Sequence, residues 1–318
     1  MTRKHLLVFF LLTFACAEDP TFRQNAKEEV SGISYDQLEK EGRAVASLGF
    51  HRTLTYTGTL EQIREKKFLR VLTTNTVFNY FVSDGAQKGY EYEMMQEFVQ
   101  YLNEKWGLED KDLKVRFEMI PVQNDELIPL LEKGYGDVIA AGLTKTGSRQ
   151  KKIDFTVPYN TVSEVLVGQK GRAIDSLESL SGETISVRKT SSYYPSLQKL
   201  NQELKKKGLE PVQIDLVDEN LETETLIELI GLKKYEWTIA DSHIAKMAES
   251  IFPGVKAHFD LQVREEGEVA WAVAPKAQSL KEEMNRFLPR YKKGSLLGNI
   301  NLKRYFQNVK QIKQAFID

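Results

Sequence analysis

Arg149 is the side chain best placed to do chemistry. It follows Gly142 by seven residues in the run Gly142-Leu-Thr-Lys-Thr-Gly-Ser-Arg-Gln-Lys-Lys-Ile-Asp-Phe-Thr-Val-Pro-Tyr159. A guanidinium presents a planar fork of donors that fits a carboxylate bidentately. The preceding residues 138–143 are nearly uncharged and read as a buried strand. An arginine beyond the C-terminal end of such a strand sits where α/β sheets bind ligands. Gly142 lets a ligand approach the backbone, and Thr144 can add a hydroxyl. The alternative is a surface arginine after a turn, paired with solvent or a nearby acid.

A second set of donors follows the run Ile185-Ser-Val-Arg-Lys, at Thr190, Ser191 and Ser192. Free N–H groups at a helix start suit an anion, although the same residues also serve as ordinary N-caps. Glu236 precedes and Asp241 ends the apolar segment 237–240, and Asp241 reads as the N-cap of the next helix. Asn75, Phe78, Tyr80 and Phe81 cluster ahead of Gly89-Tyr-Glu-Tyr-Glu, as pocket wall or as core. Other chemistries are poorly supplied. The histidines are His5, His51, His243 and His258, with no pair at ligand spacing, so neither a metal nor another cofactor is expected. A net charge of −1 gives no bulk basic surface for nucleic acid.

The elements that must position these residues alternate. Residues 68–73 form a short apolar strand. Met94, Phe98 and Leu102 recur at helical spacing up to Trp106. Val115, Phe117 and Met119 alternate with charged residues, as in a half-buried strand. Leu127, Leu130 and Leu131 form a helix stripe before the strand at 138–143. The order then repeats, with a strand at 184–187, a helix through Leu197, Leu200 and Leu204, a strand at Val212, Ile214 and Leu216, a helix at Leu226, Leu229 and Ile230, and the buried strand at 237–240. Strand–helix repetition predicts a parallel-rich α/β fold, and two such units predict two lobes. The apolar segments 162–167 and 269–273 are expected to be hinge strands. Lobe 1 would then comprise 58–166 plus 268–300, and lobe 2 would comprise 167–267. Residues 301–318 would be a helical tail, with Tyr305, Val309, Ile312 and Phe316 at helical spacing.

The N-terminus carries Arg3 and Lys4 before the apolar run 6–15, which is too short for a standard membrane span and has the layout of an export signal. Cys16, the single cysteine, stands where a lipoprotein signal is cut and acylated. We therefore expect a signal at 1–16, lipidation of Cys16, a polar tether at 17–57, and a periplasmic protein anchored in a membrane, the outer one being favoured. With Cys16 consumed no disulfide remains, so stability must come from core burial. Composition fits a globular chain of 318 residues, at 41% hydrophobic and 28% charged.

The segment 142–159 resembles the core motif of the bacterial solute-binding proteins of family 3, through Gly142, Arg149, Asp154, Phe155, Pro158 and Tyr159 at matching spacing. The resemblance implies a type II periplasmic binding fold, a Venus flytrap whose lobes close on a small ligand. It implies that Arg149, Gly142, Thr144, Thr190 and Ser191 bind the ligand and that Glu236 takes its amino group. It also implies that an aromatic of the 78–81 cluster lines one wall, with Tyr80 as the packing residue. The segments Trp237-Thr-Ile-Ala-Asp-Ser242 and Gly134-Tyr-Gly-Asp-Val-Ile-Ala-Ala-Gly-Leu143 further resemble the non-catalytic N-terminal module of the membrane-bound lytic murein transglycosylases F, over about residues 59–318.

The functional expectation is a lipid-anchored binding module for a carboxylate-bearing ligand, namely an amino acid, a short peptide or a muropeptide, linked to cell-wall turnover. Its protein partner would be a peptidoglycan enzyme. Two alternatives remain open. One is the substrate-binding component of an amino-acid ABC importer, partnered by a permease. The other is a shortened lytic transglycosylase, because glycoside cleavage needs a positioned carboxyl acid that the resembling enzymes carry in a following lysozyme-like domain. No catalytic residue is assigned in this chain.

Overall fold

The computed structural model describes residues 54–111 and 113–308. Cys16, the export signal, most of the tether and the tail beyond 308 lie outside the described residues.

The first lobe is built on a five-stranded sheet. Its opening helix α1 (Leu60–Lys66) starts in a capping box, with Thr59 Oγ1 accepting from the Gln62 N–H at 3.3 Å and Gln62 Oε1 accepting from the Thr59 N–H at 3.1 Å. Strand β1 (Phe68–Thr73) follows, buried from Leu69 onward. A small hairpin, β2 (Phe81–Ser83) and β3 (Ala86–Lys88), leads into helix α2 (Tyr90–Lys105), which buries Met94, Met95, Phe98 and Leu102. Strand β4 (Arg116–Pro121), helix α3 (Leu127–Glu132) and the two-residue strand β5 (Val138–Ile139) complete the first run. β1 pairs parallel with β4 on one side and with β5 on the other. The expected strand at 138–143 is thus ladder-paired only at its start. Its remainder, residues 140–143, leaves the sheet to form one lip of a cleft.

The chain crosses to a second sheet after β6 (Asp154–Phe155), through β7 (Asn160–Gln169). There it forms β8 (Thr184–Arg188), α4 (Tyr193–Lys206), β9 (Gln213–Val217), α5 (Thr223–Gly231), β10 (Trp237–Asp241), α6 (Ser242–Ile251) and the long β11 (Val255–Val269). The strand order is β11-β7-β10-β8-β9. β11 returns the chain to the first sheet as β12 (Ala272–Val273), giving the order β4-β1-β5-β12-β6 there. Helix α7 (Gln278–Phe287) and helix α8 (Leu296–Phe306) close the first lobe.

Three expected boundaries move. Residues 162–167 lie inside β7 and belong to the second sheet, so the outward crossing comes earlier, at residues 156–159. The return crossing does fall within 269–273, and backbone bonds Thr156 N–H to Trp271 O and Tyr159 N–H to Val269 O, both 3.0 Å, tie the two crossings together. The tether ends sooner than 57, because Tyr56 already packs on the first lobe, its ring stacked 3.6 Å from the Arg70 guanidinium. The C-terminal helix begins at Leu296, so it straddles the expected division at 300. The apolar alternation at Ile214 and Leu216 marks the edge strand β9, where Leu216 stays 47% exposed.

Arg70 in β1 and Asp137, which precedes β5, form a fully buried pair at 2.7 Å, and Asp137 Oδ2 also accepts the Arg70 backbone N–H at 2.7 Å. This clasp holds β5 against β1 and so fixes where the lip at 140–143 begins. Removing one partner strands the other charge. Asp137→Ala should cost about 3–5 kcal/mol of unfolding free energy, measured by urea denaturation with an unchanged m-value. A loss below about 1 kcal/mol would contradict the role given to this pair.

Candidate functional site

The strand ends and turns after β1, β5, β8 and β10 face one cleft between the two sheets, of about 110 Å³. Arg149 reaches it from a single 3₁₀ turn (Arg149–Lys151) that follows the lip. Its Nη1 donates to the Thr144 carbonyl at 2.6 Å in the first lobe, and its Nη2 donates to the Thr190 carbonyl at 2.9 Å in the second. The guanidinium therefore spans the cleft. Burial lowers its pKa to about 10, against the opposing pull of Asp241 and Glu164, so it stays charged at neutral pH.

The lip itself is set by Glu91, fully buried in the first turn of α2. Its carboxyl accepts from the Tyr159 hydroxyl, from Trp271 Nε1 at 2.7 Å and from the Gly142 N–H at 3.1 Å. Burial raises its pKa, partly offset by these donors. Gly142 has φ +62°, the left-handed region that glycine enters without steric cost. The turn at Gly142 and the hinge at Tyr159 thus hang on one carboxyl group.

Buried polar groups are normally hydrogen-bonded, so those that are not point to a missing partner. Five such atoms belong to residues that line this cleft: Tyr90 Oη, Arg188 Nε, Glu224 Oε1, Asp241 Oδ1 and His243 Nδ1. Asp241 ends β10, directly opposite Glu164 of β7 in the antiparallel ladder. Desolvation and then the Glu164 charge push the Asp241 pKa up to about 7. Glu224, in the first turn of α5, is also raised, by burial first and then by Glu222. Desolvation and then Lys293 lower His243 to about 3, so its imidazole is neutral at physiological pH.

Of the residues singled out in the sequence, Gly142, Thr144, Arg149, Thr190 and Ser191 line the cleft. Their hydroxyls are differently employed from the expectation. Thr190 Oγ1 donates to Glu219, and Ser191 Oγ donates to the Arg188 carbonyl at 2.7 Å. The backbone at the start of α4 has first-turn N–H groups with no intrahelical partner.

Glu236 and Tyr80 are not brought to the cleft. Glu236 is half exposed at the opposite end of β10 and pairs with Arg172 at 2.8 Å. A strand's two ends lie on opposite edges of its sheet, so the acid before β10 cannot reach what the acid at its end reaches. Tyr80 turns outward, donating to Gln87 at 3.1 Å and packing on Tyr92. The aromatic that lines the cleft from this cluster is Phe78, stacked at 4.8 Å on Phe306 of α8. Asp241 is an N-cap by backbone position, but its side chain makes no capping bond to α6. The rule that located Arg149, ligands at the C-terminal ends of strands, would also have pointed to Asp241.

The raised pKa of Asp241 has a definite sign. Its ordinary value is 3.8 and its folded value about 7, so burial costs nothing below the first, and the cost grows as pH rises through the second. Asp241→Asn should therefore match the wild type in stability near pH 4 and exceed it near pH 8, in thermal melts without ligand. A constant difference across that range would show that Asp241 is not held in this way.

The pattern of the bacterial extracellular solute-binding proteins, family 3, matches residues 69–308. A membrane-bound lytic murein transglycosylase F of Pseudomonas putida (strain W619) is 32% identical over 255 residues, 79% of this chain and 48% of its own length. One from Desulfosudis oleivorans is 29% identical over 252 residues, covering 79% of this chain and 51% of its own. The chain thus spans about half the length of the curated relatives it matches. Among solved structures, an ancestral arginine-binding protein bound to arginine superposes with a TM-score of 0.59 at 24% identity, over 76% of this chain and 98% of its own. An amino-acid ABC transporter substrate-binding protein of Streptococcus pneumoniae bound to L-arginine gives 0.59 at 20% identity, over 81% and 100%. These likenesses show the fold, a type II periplasmic binding fold. Among the described residues no helix is long and apolar enough to cross a membrane. The matched pattern covers most of the chain, and the chain belongs to the bacterial extracellular solute-binding proteins of family 3.

Proposed function

We propose that this chain is a periplasmic, lipid-anchored recognition module that closes on a small zwitterion, an α-amino acid or a molecule ending like one, in the service of cell-wall turnover. The observation that carries this reading is the pairing, in one cleft, of the Arg149 guanidinium with the buried and incompletely bonded Asp241 carboxyl. The remaining guanidinium N–H groups and the first turn of α4 receive the ligand carboxylate. Asp241 Oδ1 receives the ammonium. Closure follows because these partners lie on different lobes, so only the closed state satisfies both ends of the ligand.

Size favours an amino acid over a muropeptide. At roughly 10–15 Å³ for each water-sized occupant, a cleft of about 110 Å³ encloses on the order of ten non-hydrogen atoms. A larger ligand would have to leave most of itself outside the closed lobes. The link to the cell wall rests on the relatives' names. The second reading, an importer's binding component, is favoured by the transport protein that shares the fold. A permease and an ATPase encoded beside this chain would support it.

Two experiments test the proposal. Calorimetric titration with a panel of L-amino acids should find a ligand that Arg149→Ala loses by about two to three and a half decades in affinity, the consequence of a buried carboxylate left unpaired at roughly 3–5 kcal/mol. Arg149→Lys should also bind clearly more weakly, since a point charge cannot replace the fork. Unchanged affinity in Arg149→Ala would remove the carboxylate site. For the anchor, mass spectrometry of the mature protein should find acylated Cys16, and Cys16→Ser should release the protein from membranes or block its processing. An unmodified Cys16 would rule the anchor out.

A further inference from the structure

One buried acid of the cleft is answered by neither the protein nor the two ends of a simple amino acid. Glu222 pairs with Arg188 at 3.3 Å and accepts from Asn124 of the first lobe at 2.8 Å. Glu164 faces Arg264 at 3.7 Å. On the proposed reading, the ligand's carboxylate answers Arg149 and its ammonium answers Asp241. Glu224 is left over. It is only 5% exposed, it lines the cleft, and its Oε1 has no hydrogen-bond partner. Arg188 bonds through its two terminal nitrogens to the Leu221 carbonyl, Thr223 Oγ1 and Glu222, so its charge, shared with Glu222, offsets that of Glu224 only in part. The helix start that carries Glu224 supplies at most partial positive charge. His243, neutral and with Nδ1 unpartnered in the same cleft, can accept a hydrogen bond but supplies no charge.

We infer that the ligand carries a second basic group, and that Glu224 is the subsite that receives it. The ligand class is then a diamino acid or a comparably short dibasic molecule, not a neutral amino acid. This rests on the reading of Arg149 and Asp241 given above and goes beyond it by assigning the side-chain end. Burial explains the arrangement. An ammonium brought against Glu224 restores the ionised carboxylate that desolvation opposes, and in a dry cleft such a charge-assisted bond is stronger than a neutral one. The enclosed volume accommodates a chain of this length.

The test compares L-lysine and L-ornithine with the uncharged L-norleucine and L-norvaline, by calorimetric titration of the wild type and of Glu224→Gln. The wild type should bind the dibasic member of a pair about 10- to 100-fold more tightly, the factor expected of one hydrogen bond to a charged group. Glu224→Gln should lose that preference and keep its affinity for the neutral member. Equal binding of the charged and uncharged members by the wild type overturns the subsite while leaving the amino-acid reading intact. A preference that survives in Glu224→Gln overturns the assignment to Glu224. Binding of none of the four probes counts against both. The wild-type comparison needs no variant, so it stands even if Glu224→Gln fails to fold.

Discussion

The guanidinium of Arg149 bonds to the backbone of both lobes, and the site is arranged around it. One nitrogen donates to the Thr144 carbonyl and another to the Thr190 carbonyl. The Thr144 bond lies within the first lobe, whereas the Thr190 bond requires the second lobe to stand this close to it. The position of Arg149 depends in turn on the lip at 140–143. Glu91 pins that lip from below through the Gly142 N–H, and it pins the hinge through Tyr159. The Arg70–Asp137 clasp fixes the strand from which the lip departs. A chain of buried charged groups thus runs from the core of the first lobe to the edge of the second. Each link is hydrogen-bonded except at the cleft, where the bonding stops short.

That incompleteness is the physical signature of a binding site. A buried carboxyl with a free oxygen costs more than one left in water. A molecule bound in the cleft would recover that cost. Here several such groups converge from β10, from α5, from α2 and from β8 on a space large enough for a small molecule. On the proposed reading, a guanidinium at Arg149 and carboxyl groups at Asp241 and Glu224 answer the ligand's charges in mirror image. Phe78, Tyr90 and Phe306 add aromatic rings to the cleft lining.

Much of this arrangement is legible in the sequence. Alternating strand and helix patterns give the two α/β units. The uncharged run at 138–143 followed by Arg149 gives the first half of the site, because a buried strand and a fork of donors are both written locally. The second half is harder to read. Glu236 stands just before β10 and Asp241 ends it, five residues on, and composition does not say which end of β10 opens on the cleft. Only the sheet's orientation does, and it assigns Glu236 to Arg172 and leaves Asp241 inside. Glu224 looks like an ordinary acid in a helix's first turn, until the fold buries it beside Glu222 and Arg188. Tyr80 and Phe78 are two residues apart, and which ring faces inward depends on the hairpin that follows and on Phe306, more than two hundred residues away in the chain. Local pattern reveals elements and single strong groups. It does not reveal pairings made by distant segments.

On the proposed reading, a ligand's ammonium completes the bonding of Asp241. The most direct measurement is the number of protons released on binding L-lysine, obtained by calorimetry in buffers of different ionisation enthalpy, for the wild type and for Asp241→Asn. With the carboxyl held near pKa 7 in the unliganded cleft, it is mostly protonated at pH 6 and must ionise to meet an ammonium. The wild type should then release about 0.9 proton more than Asp241→Asn at pH 6, falling to roughly 0.1 at pH 8. Equal proton release by the two proteins across that range would contradict the account.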